Sequence, residues 1–139
     1  MASESVLVDA GPLVAFLSHG DGHHRWAEGV FAQLRPPLLT SEPVITEAAY
    51  LVTAYGGPEV AVLELIQRGI VKVEFAVESQ VGPLMGLMRR YSNLPMSLAD
   101  ASLVRMTELK SRARVLTLDH DFLIYRRNGR QRIPVLMPD

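Results

Sequence analysis

Cysteine is absent from all 139 residues, which excludes disulfides, thiolate metal sites and cysteine nucleophiles. Any metal bound here must be held by oxygen or imidazole. The lack of cysteine is also compatible with a reducing cytoplasm. No apolar run approaches the length needed to span a bilayer, and the N-terminal MASESVLVD has no basic stretch leading into an apolar segment. The expectation is a soluble, cytoplasmic protein with no membrane partner. Walker A, G-x-G-x-x-G and G-x-S-x-G motifs are missing too, so P-loop, Rossmann dinucleotide and hydrolase-elbow chemistry have no support.

What is present is enough apolar material for one core. Hydrophobic residues make up 48% of the chain, and 139 residues is the size of one domain, taken as 1–139. The net charge of −1 hides an asymmetry. Up to Met88 there are 4 Lys and Arg against 10 Asp and Glu, and from Arg89 onward 10 against 5. A basic C-terminal part favours a polyanionic partner, since Lys and Arg neutralise phosphates and release counterions. Ordinary solvated helix faces give the same composition.

Along the chain, β-branched runs alternate with helical patterns. Val6 to Val8 reads as a strand ended by Asp9, and Gly11-Pro12 turns the chain into a helix from about Leu13 to Leu17. A polar loop from His19 to His24 precedes an amphipathic helix carrying Trp26, Val30, Phe31 and Leu34, stopped by Pro36-Pro37. Leu38 to Thr40 is a strand. Ser41 caps a helix with the stripe Val44, Ala48, Leu51 and Tyr55, ended by Gly56-Gly57. Glu59 to Arg68 is helical, Ile70 to Phe75 alternates as a strand, and Val77 to Tyr91 is again helical. Ser97 caps a helix to about Ser111, Arg114 to Leu118 is a buried-type strand, and a short helix follows with Phe122, Leu123 and Tyr125. The tail turns at Asn128-Gly129 and ends in Ile133 to Met137, an edge strand because Pro134 interrupts it. The alternation predicts an α/β fold, a three-layer α/β/α sandwich with a central, mostly parallel sheet.

Four acids occupy unusual places in this pattern: Asp9, Glu47, Asp100 and Asp119. Each stands where an apolar run meets a helix start or beside a helix's apolar face. In an open parallel sheet the strand ends and helix starts gather in one crevice, so residues distant in sequence become neighbours there. Two carboxylates about 4 Å apart repel by about 4 kcal/mol at an effective dielectric near 20, and a divalent cation removes that cost. Bland alternatives exist for each. Asp9 and Asp119 fit helix caps or turns, Glu47 could reach water from the edge of its stripe, and Asp100, three residues after Ser97, fits a capping box. The four together point to a site. Asp121 is a spare carboxylate able to share the role of Asp119. His19, His23 and His24 lie in a glycine-rich loop that does not present two ligands on one helix face, and are read as surface residues.

With VLVDAGPLVAFL, SEPVITEAAYLV, LPMSLADASLV and VLTLDHDF in that order over nearly the full length, the chain resembles PIN-domain proteins, specifically the VapC-type ribonucleases of bacterial toxin and antitoxin pairs. The resemblance implies a PIN-like sandwich with a Mg²⁺ or Mn²⁺ site. It carries over Asp9, Glu47, Asp100 and Asp119 as the acidic quartet, with Asp9, Asp100 and Asp119 on the metal and Thr117 as a polar neighbour. One departure is Ala10, which stands where a Thr or Ser often follows the first acid. The resemblance further implies a small antitoxin as partner and a homodimer.

Oxygen-only ligands suit Mg²⁺ or Mn²⁺. The expected reaction is in-line hydrolysis of an RNA phosphodiester, leaving a 5′-phosphate and a 3′-hydroxyl. Arg126, Arg127, Arg130 and Arg132 are candidates for holding the RNA backbone, with Tyr125 among them able to stack on a base. The competing readings are a PIN-like module that binds RNA or protein without cutting, and a metal-dependent phosphatase of small substrates.

Overall fold

Short runs, most of them aliphatic, supply the strands of the fold. In the computed structural model, which describes residues 4–139, these are β1 (Ser5–Val8), β2 (Leu38–Thr40), β3 (Val71–Val73), β4 (Ala113–Leu116), β5 (Arg126–Arg127), β6 (Gln131–Arg132) and β7 (Val135–Leu136). Five of them form a sheet in the order β3-β2-β1-β4-β7, with every pairing parallel. The register sets Leu7 of β1 opposite Leu39 and Val115, and Val8 opposite Leu116. β5 and β6 form a separate antiparallel hairpin turned by Asn128 and Gly129, both at positive φ.

Among the described residues six helices flank the sheet: α1 (Ala10–Leu17), α2 (His24–Gln33), α3 (Glu42–Val52), α4 (Val60–Gln67), α5 (Val81–Arg90) and α6 (Leu98–Leu109). A parallel sheet needs both faces covered, and its strands read as near-continuous apolar runs for that reason. The expected α/β/α sandwich is the observed fold. Leu7, Val8, Leu13, Leu103, Val115 and Leu116 are wholly buried in the core.

Local chemistry explains the boundaries. α1 starts at Ala10, three residues earlier than the sequence suggests, because the Asp9 side chain accepts from the Ala10 N–H and caps the helix. Ser41 caps α3 through the Val44 N–H, and Ser97 caps α6 through that of Asp100. The buried stripe of α3 is Val44, Ile45, Ala48 and Val52. Leu51 and Tyr55, expected in that stripe, are 38% and 49% exposed: the helix ends at Val52, and a 3-10 turn over Thr53–Tyr55 swings Tyr55 out before Gly56 at φ +79°. The segment from Val77 to Tyr91 is a 3-10 turn, Glu78–Gln80, followed by α5. The strand expected over Ile70 to Phe75 pairs only at Val71–Val73.

β1 is central, with β2 and β3 stepping away on one side and β4 and β7 on the other. The direction of winding therefore reverses between β1 and β4. The crevice beyond the C-terminal ends of those two strands is where such sheets bind ligands.

Candidate functional site

Asp9 is the residue after β1 and Asp119 the third after β4, so both sit at the switch point. α3 and α6, which pack on each other, bring in Glu47 and Asp100 from the side. All four acids line one cleft of about 420 Å³, together with Gly11, Leu51, Ser97 and Leu118. A Cβ on Gly11 would lie 3.3 Å from the Leu118 side chain; the missing side chain lets the first turn of α1 approach the segment after β4.

Asp9 is 5% exposed and both its oxygens are engaged. Oδ1 accepts from the Ala10 N–H at 2.8 Å, and Oδ2 accepts from the Thr117 hydroxyl at 2.7 Å. Thr117, wholly buried, also accepts from the Asp119 N–H at 2.9 Å. One hydroxyl thus ties the first acid to the last. It supplies the polar support for Asp9 that Ala10 cannot. Thr40 makes a parallel bond one strand over, donating to the Val8 carbonyl at 2.8 Å.

Asp100 is 8% exposed. The capping arrangement with Ser97 forms, the Ser97 hydroxyl accepting from the Asp100 N–H at 3.0 Å, so cap and cleft roles coexist. From the interior the Tyr125 hydroxyl donates to Asp100 Oδ2 at 3.0 Å. Asp119 caps the 3-10 turn His120–Leu123, its Oδ1 accepting from the Asp121 N–H at 2.9 Å. Asp121 is half-buried and does not line the cleft. Glu47 is half-buried on α3.

The electrostatics follow from this burial. Desolvation pushes the Asp9 carboxyl up from 3.8 to about 7; the Thr117 and Ala10 hydrogen bonds oppose the rise, and the charges of Asp100 and Glu47 add to it. Asp100 is raised by burial against the pull of its Tyr125 and Ser97 hydrogen bonds, with Asp119 adding repulsion. Glu47 is raised by desolvation and then by Asp100 and Asp119. Burial and the neighbouring Asp100 push the Tyr125 phenol well above its ordinary value, so it remains a donor. Among the described residues no Lys, Arg or His forms an ion pair with any of the four acids.

Acids that repel one another without a protein cation, in a cleft open to solvent, fit a divalent cation. No group of three His, Asp or Glu among the described residues is already arranged as a direct ligand cage. Mg²⁺ does not require one, since it keeps several waters and takes one or two carboxylates directly.

Several expectations change in the structure. Tyr125 is wholly buried, its ring edge-on to Tyr91 and Phe122 at 5.1 and 5.3 Å, so it has no face for a nucleobase. His24 is buried, not superficial: it begins α2 with its ring turned inward, and Nδ1–H donates to the Ala15 carbonyl at 2.7 Å. His23 remains exposed. The Arg126 guanidinium donates to the carbonyls of Leu123, Ile124 and Tyr125, and Arg127 donates to Ser111 and Gln131. Arg130 and Arg132 are exposed on the hairpin. Side-chain contacts near the cleft that the sequence does not signal include the Tyr125 bond to Asp100 and the Ser41 and Ser102 hydroxyls, 2.6 Å apart, which link α3 to α6. A more apolar cavity of about 330 Å³ beside Phe16, Phe31 and Leu38 has Glu28 as its one charged lining residue and no convergent polar groups.

Comparisons with known proteins agree with the fold. Among solved structures, the chain is similar to the Mycobacterium tuberculosis toxin VapC20, described as cleaving the sarcin-ricin loop, with a TM-score of 0.75 and 23% identity over 84% of this chain and 92% of that one. No curated protein matches. The family model of the PIN domain matches residues 6–128, from within β1 through all four acids of the cleft to the start of the hairpin turn, and the chain belongs to that family.

Proposed function

We propose that the protein is a Mg²⁺- or Mn²⁺-dependent endoribonuclease of the VapC toxin type, hydrolysing an RNA phosphodiester to a 5′-phosphate and a 3′-hydroxyl. The observation that carries the reading is the convergence of Asp9, Glu47, Asp100 and Asp119 on one cleft at the switch point, with no Lys, Arg or His among the described residues paired to them. Asp9, Asp100 and Asp119 would hold the ion, one or two of them directly and the remainder through its bound waters, and Glu47, half-buried on α3, would accept a proton at its carboxylate. Thr117 keeps Asp9 and Asp119 in register. Bound there, the cation supplies a more acidic water and charge stabilisation at the phosphate.

The hairpin arginines Arg126, Arg127 and Arg130, with Arg132, would hold the RNA backbone. Arg130 and Arg132 are the exposed pair; Arg126 and Arg127 add charge while bonded to the protein. The VapC reading brings a small antitoxin protein, a homodimer and a cytoplasmic location with it. No helix among the described residues is long and apolar enough to cross a membrane.

Asp100→Asn tests the reading. It keeps the side chain's shape and its acceptor for Tyr125, so the far-UV spectrum should hold and Tm should not fall, while metal-dependent cleavage of structured RNA drops by at least about a hundredfold. Undiminished cleavage in that variant refutes the assignment. RNA binding by the wild type without cleavage at any Mg²⁺ or Mn²⁺ concentration selects the non-catalytic module, and turnover of a generic phosphomonoester in preference to RNA selects the small-substrate phosphatase.

A further inference from the structure

Tyr125 is the largest wholly buried side chain of the described residues, and its position is over-determined. Its ring meets Phe122 and Tyr91 edge-on, at centroid distances of 5.3 and 5.1 Å. Tyr91 in turn accepts the Arg126 N–H at 2.9 Å, so the residue after Tyr125 is fixed from the α5 end. The guanidinium of Arg126 folds back on the carbonyls of residues 123 to 125 and closes the segment from the other side. A phenol placed this firmly has one hydrogen-bond partner among the described residues, Oδ2 of Asp100 at 3.0 Å.

The bond reaches Asp100 from behind. α6 presents the carboxyl to the cleft, Ser97 holds its backbone N–H, and Tyr125 holds one oxygen against the interior. An aspartate without that bond has a broad, roughly two-fold χ2 torsion. With it, the carboxylate plane is set before any ligand arrives. Groups that orient a metal-binding carboxylate in this way change affinity about 10- to 100-fold when removed.

We propose that Tyr125 is a positioning residue for the acidic cleft: its buried hydroxyl fixes the carboxylate plane of Asp100 and so sets the affinity of the cleft for a divalent cation. The inference rests on the metal-site reading given above and deepens it.

The test is calorimetric titration of metal-free protein with Mn²⁺, comparing wild type, Tyr125→Phe and Tyr91→Phe. Tyr125→Phe keeps the ring and its packing and removes only the hydroxyl. Tyr91→Phe removes a hydroxyl from the same aromatic cluster that does not touch an acid. The expected result is a Kd for Mn²⁺ raised about tenfold or more in Tyr125→Phe and within about twofold of wild type in Tyr91→Phe, with both variants folded by near-UV circular dichroism. On RNA, Tyr125→Phe should lower kcat at fixed metal while leaving KM unchanged, and excess Mn²⁺ should restore part of the loss. An unchanged Mn²⁺ Kd in Tyr125→Phe, or equal weakening in both variants, overturns the positioning role while leaving the metal site standing. Wild-type protein that takes up no Mn²⁺ at millimolar concentration overturns the metal site itself, and this role with it. Should Tyr125→Phe fail to fold, Asp100→Glu decides instead. Its longer side chain cannot keep the same geometry at Tyr125, and Mn²⁺ affinity equal to wild type overturns the proposal.

Discussion

Asp9 makes the metal-free protein's stability depend on pH in an unusual direction. In the unfolded chain this carboxyl gives up its proton near 3.8, while in the folded state burial holds the proton until about 7. Between those values the folded state binds more protons than the unfolded one, so raising the pH destabilises the fold. The cost is absent below about pH 3.8, grows through the window and is complete above about 7. At about 1.4 kcal/mol per pH unit it reaches roughly 4 kcal/mol. Asp100 and Glu47, raised for the same reason, act in the same direction. Asp9→Asn removes the ionisation and keeps an acceptor for the Ala10 N–H, and the Thr117 hydroxyl can rotate to accept from the new amide. Urea unfolding in EDTA should therefore find the variant more stable than wild type by roughly 2–4 kcal/mol at pH 8, the lower figure allowing for an imperfect amide fit, with the difference shrinking toward zero near pH 4. Mg²⁺ or Mn²⁺ should stabilise wild type at pH 8 and do little for the variant. A stability difference independent of pH, or a variant less stable than wild type at pH 8, refutes the claim that Asp9 is buried without a counter-charge.

Thr117→Val removes the hydroxyl shared by Asp9 and the Asp119 N–H. Leaving a buried carboxyl oxygen and a backbone donor without partners should cost about 2–4 kcal/mol by urea unfolding and raise the Asp9 pKa further, seen by NMR titration of the carboxyl carbon; a change under 0.5 kcal/mol on the same scale refutes the shared-hydroxyl role. Arg130→Ala with Arg132→Ala should weaken RNA binding at low salt and flatten the plot of log K against log[salt] by about 1–2. An unaltered slope would place the RNA elsewhere on the surface.

The strand-ending acids were legible because the sheet's topology leaves them no other destination. Asp9 and Asp119 follow apolar runs, and parallel strands deliver such positions to one crevice. Glu47 and Asp100 were legible as acids beside apolar helix positions. The supporting residues were harder to see, because their roles depend on contacts that no local pattern encodes. Thr117 and Asp9 are 108 positions apart, and Ser41 and Ser102 are 61 apart. The sequence around Tyr125 points to a surface because its neighbours Arg126 and Arg127 are charged, and a regular helical period over the preceding segment does not anticipate how tightly it winds. In the 3-10 turn His120–Leu123 and its continuation, residues three apart eclipse one another. Phe122 and Tyr125 therefore both point inward, and Leu123 and Ile124 are left 51% and 54% exposed. His24 reads as a loop residue because a glycine-rich stretch continues up to it, whereas α2 already begins there.

The two outermost strands of the sheet, β3 and β7, have three and two residues, and Pro134, with no amide hydrogen to donate, stands directly before the second. Borders so brief offer a stray extended chain almost no ladder to continue, a safeguard against templated aggregation in a fold whose slow-forming parallel centre would otherwise invite it. The sheet's own hydrogen bonding is thereby closed to newcomers at both of its borders.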